Sequence, residues 1–216
     1  MLFNLSLHRS ATTSISHLLR DLDFSCLDWV GWGFERRFNH LFYKDKQREL
    51  LSHLLKRFPD FTYYGDLPIP LLHECLLEKF PNASYFIVLR DVDDWAESSI
   101  GHCLHVGNHA NNPLDDVLTP SHRMMLDKYG LLEESRKHLA NKEMNSLFKI
   151  WRRLYYAHLK HICENFADCP ASFKMFYLSD PELAAKLCNF ACPELSASQC
   201  ESLKLRHLHD RDRGRS

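Results

Sequence analysis

The sequence predicts an α/β fold, a three-layer sandwich with a central parallel sheet. Three observations carry this. Short apolar runs of strand character recur along the chain, at residues 2–7, 61–64, 85–89 and 172–178. Segments with apolar residues at helical spacing lie between them. The run Tyr85-Phe86-Ile87-Val88-Leu89 is apolar without interruption, as expected of a strand buried on both faces. Strands alternating with helices pack most simply as a parallel sheet covered on both sides. In such sheets ligands bind beyond the carboxyl ends of the strands. Three of those ends carry chemistry: His8-Arg9, Asp66 and Arg90.

The elements follow in order. Residues 2–7 alternate with period two and read as a strand, and residues 8–13 as a polar turn. A helix runs from there to about residue 21, with Ile15, Leu18, Leu19 and Leu22 on one face. Residues 27–42 are aromatic, with Gly31 and Gly33, and no element is assigned to them. Residues 44–58 form an amphipathic helix. Strand 61–64 is stopped by Gly65-Asp66-Leu67-Pro68, and residues 70–80 are helical. Strand 85–89 ends at Arg90-Asp91 and leads into a helix over 93–105. Residues 107–120 have the composition of a loop. Two or three helices then reach about residue 166. A strand at 172–178 and helices at 181–190 and 196–207 complete the pattern. The charged tail, 210–216, is expected to fray. The chain shows no internal repeat.

Composition sets bounds on function. Of 216 residues, 45% are hydrophobic and 25% charged, which fits a globular domain and neither a disordered chain nor a membrane protein. The formal net charge of −1 predicts no nucleic-acid or membrane-surface partner, so any anion site is local. No run approaches the roughly 20 apolar residues of a membrane span. Residues 1–7 are apolar but short and follow no basic segment, so no secretory signal is expected. The eight cysteines include no Cys-x-x-Cys pair, and a reduced, cytoplasmic compartment is the simpler inference. Cys188 and Cys192, four apart on a helix, read as a buried face.

The run Ser6-Leu7-His8-Arg9-Ser10-Ala11-Thr12-Thr13-Ser14 joins a strand to a helix. A helix N-terminus offers unpaired N–H groups and the positive end of a dipole, which suits an anion. Thr12, Thr13 and Ser14 add hydroxyls, and Arg9 adds a forked cation matched to phosphate or sulfate oxygens. Helix capping is the alternative, but capping needs one hydroxyl. The run is not a Walker A loop, which requires G-x-x-x-x-G-K-[ST]. No convincing strand-end Asp offers itself for Mg²⁺. His102, His105 and His109 invite a metal assignment, but no carboxylate or cysteine spacing completes a site, and no metal is expected. Phe148, Trp151, Leu154, Tyr155 and His158 follow helical spacing and read as core.

These residues resemble the sulfotransferases that use 3′-phosphoadenosine 5′-phosphosulfate (PAPS), which share a P-loop NTPase-like α/β fold and use no metal. The family's loop reads G-x-P-[KR]-[ST]-G-T-T. Arg9, Ser10, Thr12 and Thr13 match it, while Ser6, His8 and Ala11 depart from it. The family's 3′-phosphate site pairs a strand-end Arg with a Ser eight residues on, and Arg90 and Ser98 have that spacing. Asp91 and Trp95 are similar to the bacterial-type branch. For Arg90 alone, an ion pair with Asp91 or Asp93 is the competing reading. Asp66-Leu67-Pro68 stands where many cytosolic members carry K-T-H-L-P, whose His is the catalytic base. Asp66 is therefore a base by resemblance, or else a turn residue capping the next helix. Tyr64 replaces the family's Lys. Tyr177 corresponds to the strand that touches the adenine, although a buried strand Tyr is the simpler reading. Arg213-Gly214 matches only faintly the family's C-terminal R-K-G.

The resemblance implies a single domain over 1–209 that transfers a sulfuryl group from PAPS to a hydroxyl or amine of a small-molecule or glycan acceptor. Arg9 would stabilise the leaving phosphate with help from Ser10, Ala11, Thr12, Thr13 and Ser14. Arg90, Ser98 and Tyr177 would hold the nucleotide. Asp66 would take the acceptor's proton, with His8 as the competing base or a plain hydrogen-bond donor. Residues 107–120 would act as a lid or acceptor contact. A small-molecule or nucleotide kinase on a similar fold and a degenerate, non-catalytic nucleotide-binding protein are the alternatives. Oligomeric state is not legible.

Overall fold

The computed structural model describes residues 1–109, 118–167, 169 and 171–201. The lid expected at 107–120 lies largely outside them, as do the last residues of helix 196–207 and the tail. Five strands form one sheet: β1 (Leu2–Asn4), β2 (Cys26–Leu27), β3 (Tyr63–Tyr64), β4 (Ser84–Leu89) and β5 (Ser172–Tyr177). Their spatial order is β2-β3-β1-β4-β5, and every neighbouring pair is parallel. The expected fold class is therefore observed. β2 lies at the start of the aromatic segment to which no element was assigned. With only two residues it is too short to show a period.

The helices are α1 (Thr12–Arg20), α2 (Trp32–Arg37), α3 (Gln47–Arg57), α4 (His73–Lys79), α5 (Val92–His109), α6 (Pro120–Lys128), α7 (Leu132–Ala140), α8 (Met144–Phe166), α9 (Leu183–Ala191) and α10 (Ala197–Glu201). Short 3₁₀ turns precede α3 and α4, so the helices expected at 44–58 and 70–80 each begin as a tighter turn.

Alternation along the strands builds two cores. Leu2, Tyr63, Phe86 and Val88 face one side, where Ile15, Leu18 and Leu19 of α1 and Leu183 and Leu187 of α9 cover them. Phe3, Tyr64, Tyr85 and Ile87 face the other, against the larger layer that includes α3, α5 and α8. Each such buried side chain contributes about 1.5–3 kcal/mol. Cys188 and Cys192 are buried as expected, and all eight cysteines are unbridged.

From β1 the chain winds to one edge through β2 and β3, then crosses to the opposite side of β1 for β4 and β5. The winding reverses between β1 and β4. That switch opens a crevice at the carboxyl ends of the strands. Arg9 follows β1 and Arg90 follows β4, so the two arginines flank it.

Candidate active site

The loop after β1 is shaped by two left-handed residues, Arg9 (φ 67°) and Ala11 (φ 61°). This conformation costs a non-glycine residue roughly 1–2 kcal/mol. Ala11 is the N-cap of α1, and no side chain caps the helix. Capping therefore does not account for the hydroxyls. The first N–H at this end to reach a backbone carbonyl is that of Ile15, which donates to Ala11 at 3.0 Å. The N–H groups before it are those a helix leaves for a ligand. No acidic residue lies in the first turn. The Ser10 hydroxyl is buried and has no partner. A buried unpaired hydroxyl at a helix N-terminus, beside an arginine, fits a phosphate or sulfate oxygen. Ser14 is buried in the first turn of α1, and Thr13 is exposed.

Ser6 departs from the family's glycine and has a structural task. Its hydroxyl donates to the Asn4 side chain and accepts the Val88 N–H at 2.7 Å, which ties the end of β1 to β4.

The strand ends converge. Arg9 Nε donates to Ser98 Oγ at 3.0 Å, and Arg90 Nη1 donates to the Arg9 carbonyl at 3.0 Å. Thr12 Oγ1 donates to Asp66 Oδ2 at 3.1 Å. Residues 9, 90 and 98 form one hydrogen-bonded set and residues 12 and 66 another, around one crevice, although they come from three separate strand ends. The competing reading, an ion pair of Arg90 with Asp91 or Asp93, is not found among the described residues. Asp91 instead accepts the N–H groups of Asp93 and Asp94 and caps α5, while Asp93 pairs with Arg152 at 3.2 Å.

Asp66 is also left-handed, at φ 58°. Its Oδ1 accepts the Leu67 N–H at 2.7 Å, and a cis peptide bond joins Leu67 to Pro68. The turn before Pro68 thus uses the carboxylate, but the 3₁₀ turn that follows has Pro68 at its N-cap and no side-chain cap. Burial pushes the Asp66 carboxyl up to about 6. The Leu67 N–H, the Thr12 hydroxyl and Arg9 pull the other way, and Asp28 adds to the rise. Gly65 precedes it because a Cβ there would lie 2.8 Å from Tyr63 Cζ, in a ring that is fully buried.

His8 is buried, with Nε2 on Ser99 Oγ at 2.8 Å and Nδ1 without a partner. Burial, then the neighbouring His122, His102 and Arg9, hold its pKa well below the usual imidazole value. Its carbonyl accepts Trp95 Nε1 at 2.9 Å. Tyr177 is 60% exposed, which corrects the expectation of a buried strand tyrosine. The cause is its place on β5, an edge strand with few covered side chains. It stands opposite Leu89, one residue before Arg90.

Local sequence pattern does not mark several positioning residues. Tyr155 is core, as its spacing suggests, but its hydroxyl also clamps the backbone of Arg90. It accepts the Arg90 N–H at 3.0 Å and donates to the Arg90 carbonyl at 2.9 Å. Trp151 Nε1 donates to Ser99 Oγ at 2.9 Å, behind His8. Helical spacing in 148–158 marks which face is buried but not which polar atoms its members present. Exposed Trp29 and Trp32, in edge contact at 5.3 Å, follow the carboxyl end of β2 on the same rim. The side chain of His109, and with it the set His102, His105 and His109, lies outside the described residues.

A parallel sheet with an anion-shaped loop at its switch point, and arginines from two strands around it, defines a P-loop-like group-transfer domain. Residues 1–191 match the sulfotransferase domain family, and the chain belongs to that family. A search of curated proteins finds no match to the chain.

Proposed function

We propose that the chain is a PAPS-dependent sulfotransferase of the EC 2.8.2 type, transferring a sulfuryl group to a hydroxyl or amine of a small-molecule or glycan acceptor. The observation that carries this is the linkage of Arg9 to Ser98 and of Arg90 to the Arg9 backbone, at the switch point of a sulfotransferase-family sheet. A 3′-phosphorylated nucleotide needs two anion sites side by side, and this linkage supplies adjoining cations for them.

PAPS would bring the activated sulfuryl group. Ser10, Thr12, Thr13 and Ser14, with the Ala11 turn, would hold its 5′ end. Arg90 and Ser98 would hold the 3′-phosphate, and Tyr177 would lie against the base. Arg9 stabilises the charge that builds on the leaving phosphate oxygen. A donor of this kind is worth about 2.7–4 kcal/mol in the barrier. Asp66 takes the acceptor's proton. A base works best with a pKa near the working pH, and the lifted value of about 6 suits it better than an ordinary aspartate would. His8 is the competing base, although its Nε2 is engaged with Ser99. The aromatic pair Trp29 and Trp32 on the rim favours an acceptor with an apolar body. A cytoplasmic location and one working domain over 1–209 belong to the same proposal. Among the described residues no helix is long and apolar enough to cross a membrane.

Ala11 favours a second reading, a binding protein without turnover. Its left-handed backbone carries a Cβ where the family has glycine. Thermal shift separates the options. 3′-Phosphoadenosine 5′-phosphate should raise the melting temperature without metal, and ATP with Mg²⁺ should not. No shift with the former at millimolar concentration sinks the proposal. A shift without sulfuryl transfer across a panel of phenols, alcohols and amines points to the binding protein.

A further inference from the structure

Beneath the loop after β1, His8, Cys103 and His122 meet in the core. They come from the loop, from α5 and from α6, and all three are buried. One ligand atom from each lies within 4.8 Å of the other two. His8 Nδ1 and His122 Nε2 are both buried without a hydrogen-bond partner. Two orphaned imidazole nitrogens in one place need an explanation, since buried polar atoms are almost always paired.

The outer nitrogens supply one. His8 Nε2 meets Ser99 Oγ at 2.8 Å, and His122 Nδ1 meets Thr119 Oγ1 at 2.8 Å. Trp151, which has only an N–H to give, donates to Ser99, and the backbone N–H of His122 donates to Thr119. Each hydroxyl oxygen has a second lone pair. If each histidine donates its N–H to that hydroxyl, the two unpartnered nitrogens, His8 Nδ1 and His122 Nε2, carry lone pairs able to ligate a metal. Metal-bound histidines are oriented in this way by their second partners.

We propose that His8, Cys103 and His122 bind a divalent zinc-type ion that pins the loop after β1 to α5 and α6. Two imidazoles and a thiolate suit zinc, and three protein ligands leave a fourth position on a tetrahedral ion. Binding forms one metal–sulfur and two metal–nitrogen bonds and releases the Cys103 thiol proton to solvent. The second candidate group, His73, Glu74 and His161, holds a single unpartnered nitrogen, His161 Nδ1, and its other two members are engaged. His73 bonds the Pro70 carbonyl and Asn165, and Glu74 pairs with Lys128.

Cobalt titration of the full chain tests this without any nucleotide or acceptor, so its outcome is independent of the donor-site proposal. One equivalent of Co²⁺ should bind, with a thiolate-to-cobalt charge-transfer band and tetrahedral d–d bands that Zn²⁺ displaces. Zn²⁺ should also raise the melting temperature, and a chelator should reverse the rise. Cys103→Ser should abolish the thiolate band and His122→Gln should weaken binding at least tenfold. His161→Gln should bind as the wild type does. Circular dichroism establishes that each variant is folded, and either of the first two suffices if the other is not. A folded wild-type chain that gives no thiolate band overturns the proposal, as does a band that survives in both Cys103→Ser and His122→Gln.

Discussion

The Thr12 hydroxyl donates to the Asp66 carboxylate at 3.1 Å, which links the anion loop after β1 to the turn after β3. The same contact places the proposed base beside the proposed leaving-group site. In-line transfer needs the two on one axis, and a shared hydrogen bond holds their separation against thermal motion.

Asp66 should govern the pH profile. Its carboxyl is lifted to about 6, so turnover should rise as pH passes through about 6 and level off above it. Asp66→Asn should remove turnover while retaining binding of 3′-phosphoadenosine 5′-phosphate. The stability sign runs the other way. A carboxyl lifted in the folded state favours folding fully below its unfolded value near 4, and that contribution is lost as pH rises through 6. Asp66→Asn should therefore be more stable than the wild type at pH 8, by about 1–2 kcal/mol once discounted for a residue that is only partly buried as a whole. The difference should vanish towards pH 4. Melting curves at the two pH values check it, and an unchanged gap between them refutes it.

Arg9 and Ser98 should fail differently, although they touch. Arg9→Ala should lower kcat by about 10²–10³, as loss of a transition-state donor does. Ser98→Ala should instead weaken 3′-phosphoadenosine 5′-phosphate by about 1.5–3 kcal/mol, the worth of a hydrogen bond to a charged group. Single-turnover rates and calorimetric titration separate the two effects.

Ala11→Gly should stabilise the chain by about 0.5–1 kcal/mol. The left-handed N-cap costs alanine roughly 1–2 kcal/mol, and the extra freedom of glycine in the unfolded chain offsets part of the gain. Denaturant midpoints measure it. If the alanine crowds the donor, the same variant binds the nucleotide more tightly.

Tyr155→Phe should cost about 1–2 kcal/mol of stability, because it leaves the Arg90 N–H and carbonyl unpaired. As a positioning residue it should raise the Kd for the nucleotide and leave the pH midpoint near 6 in place. A shifted midpoint would assign Tyr155 a part in proton transfer.

Legibility followed distance along the chain. The unbroken run 85–89, the hydroxyl-rich loop and the eight-residue step from Arg90 to Ser98 are local patterns, and each stands where it was expected. The two-residue β2 leaves no pattern because it is shorter than any period. Tyr177 was expected to be buried, since local pattern does not tell an edge strand from a central one. Spacing singles out the histidines at 102, 105 and 109. The cluster described in the core joins residues 8, 103 and 122, which no spacing rule connects.

Alternating strands and helices, and the side-chain types at three strand ends, were thus determined by the sequence itself, because periodicity and loop chemistry are properties of neighbours. The tertiary structure alone decided that those ends meet. The order β2-β3-β1-β4-β5 sets β1 beside β4, so Arg9 and Ser98, 89 positions apart, come within 3.0 Å. Topology also decided which polar atoms lost water. Burial lifts the Asp66 carboxyl and leaves the Ser10 hydroxyl, His8 Nδ1 and His122 Nε2 among the atoms without partners. Desolvation depends on what packs around an atom, and that is set by residues distant in the chain.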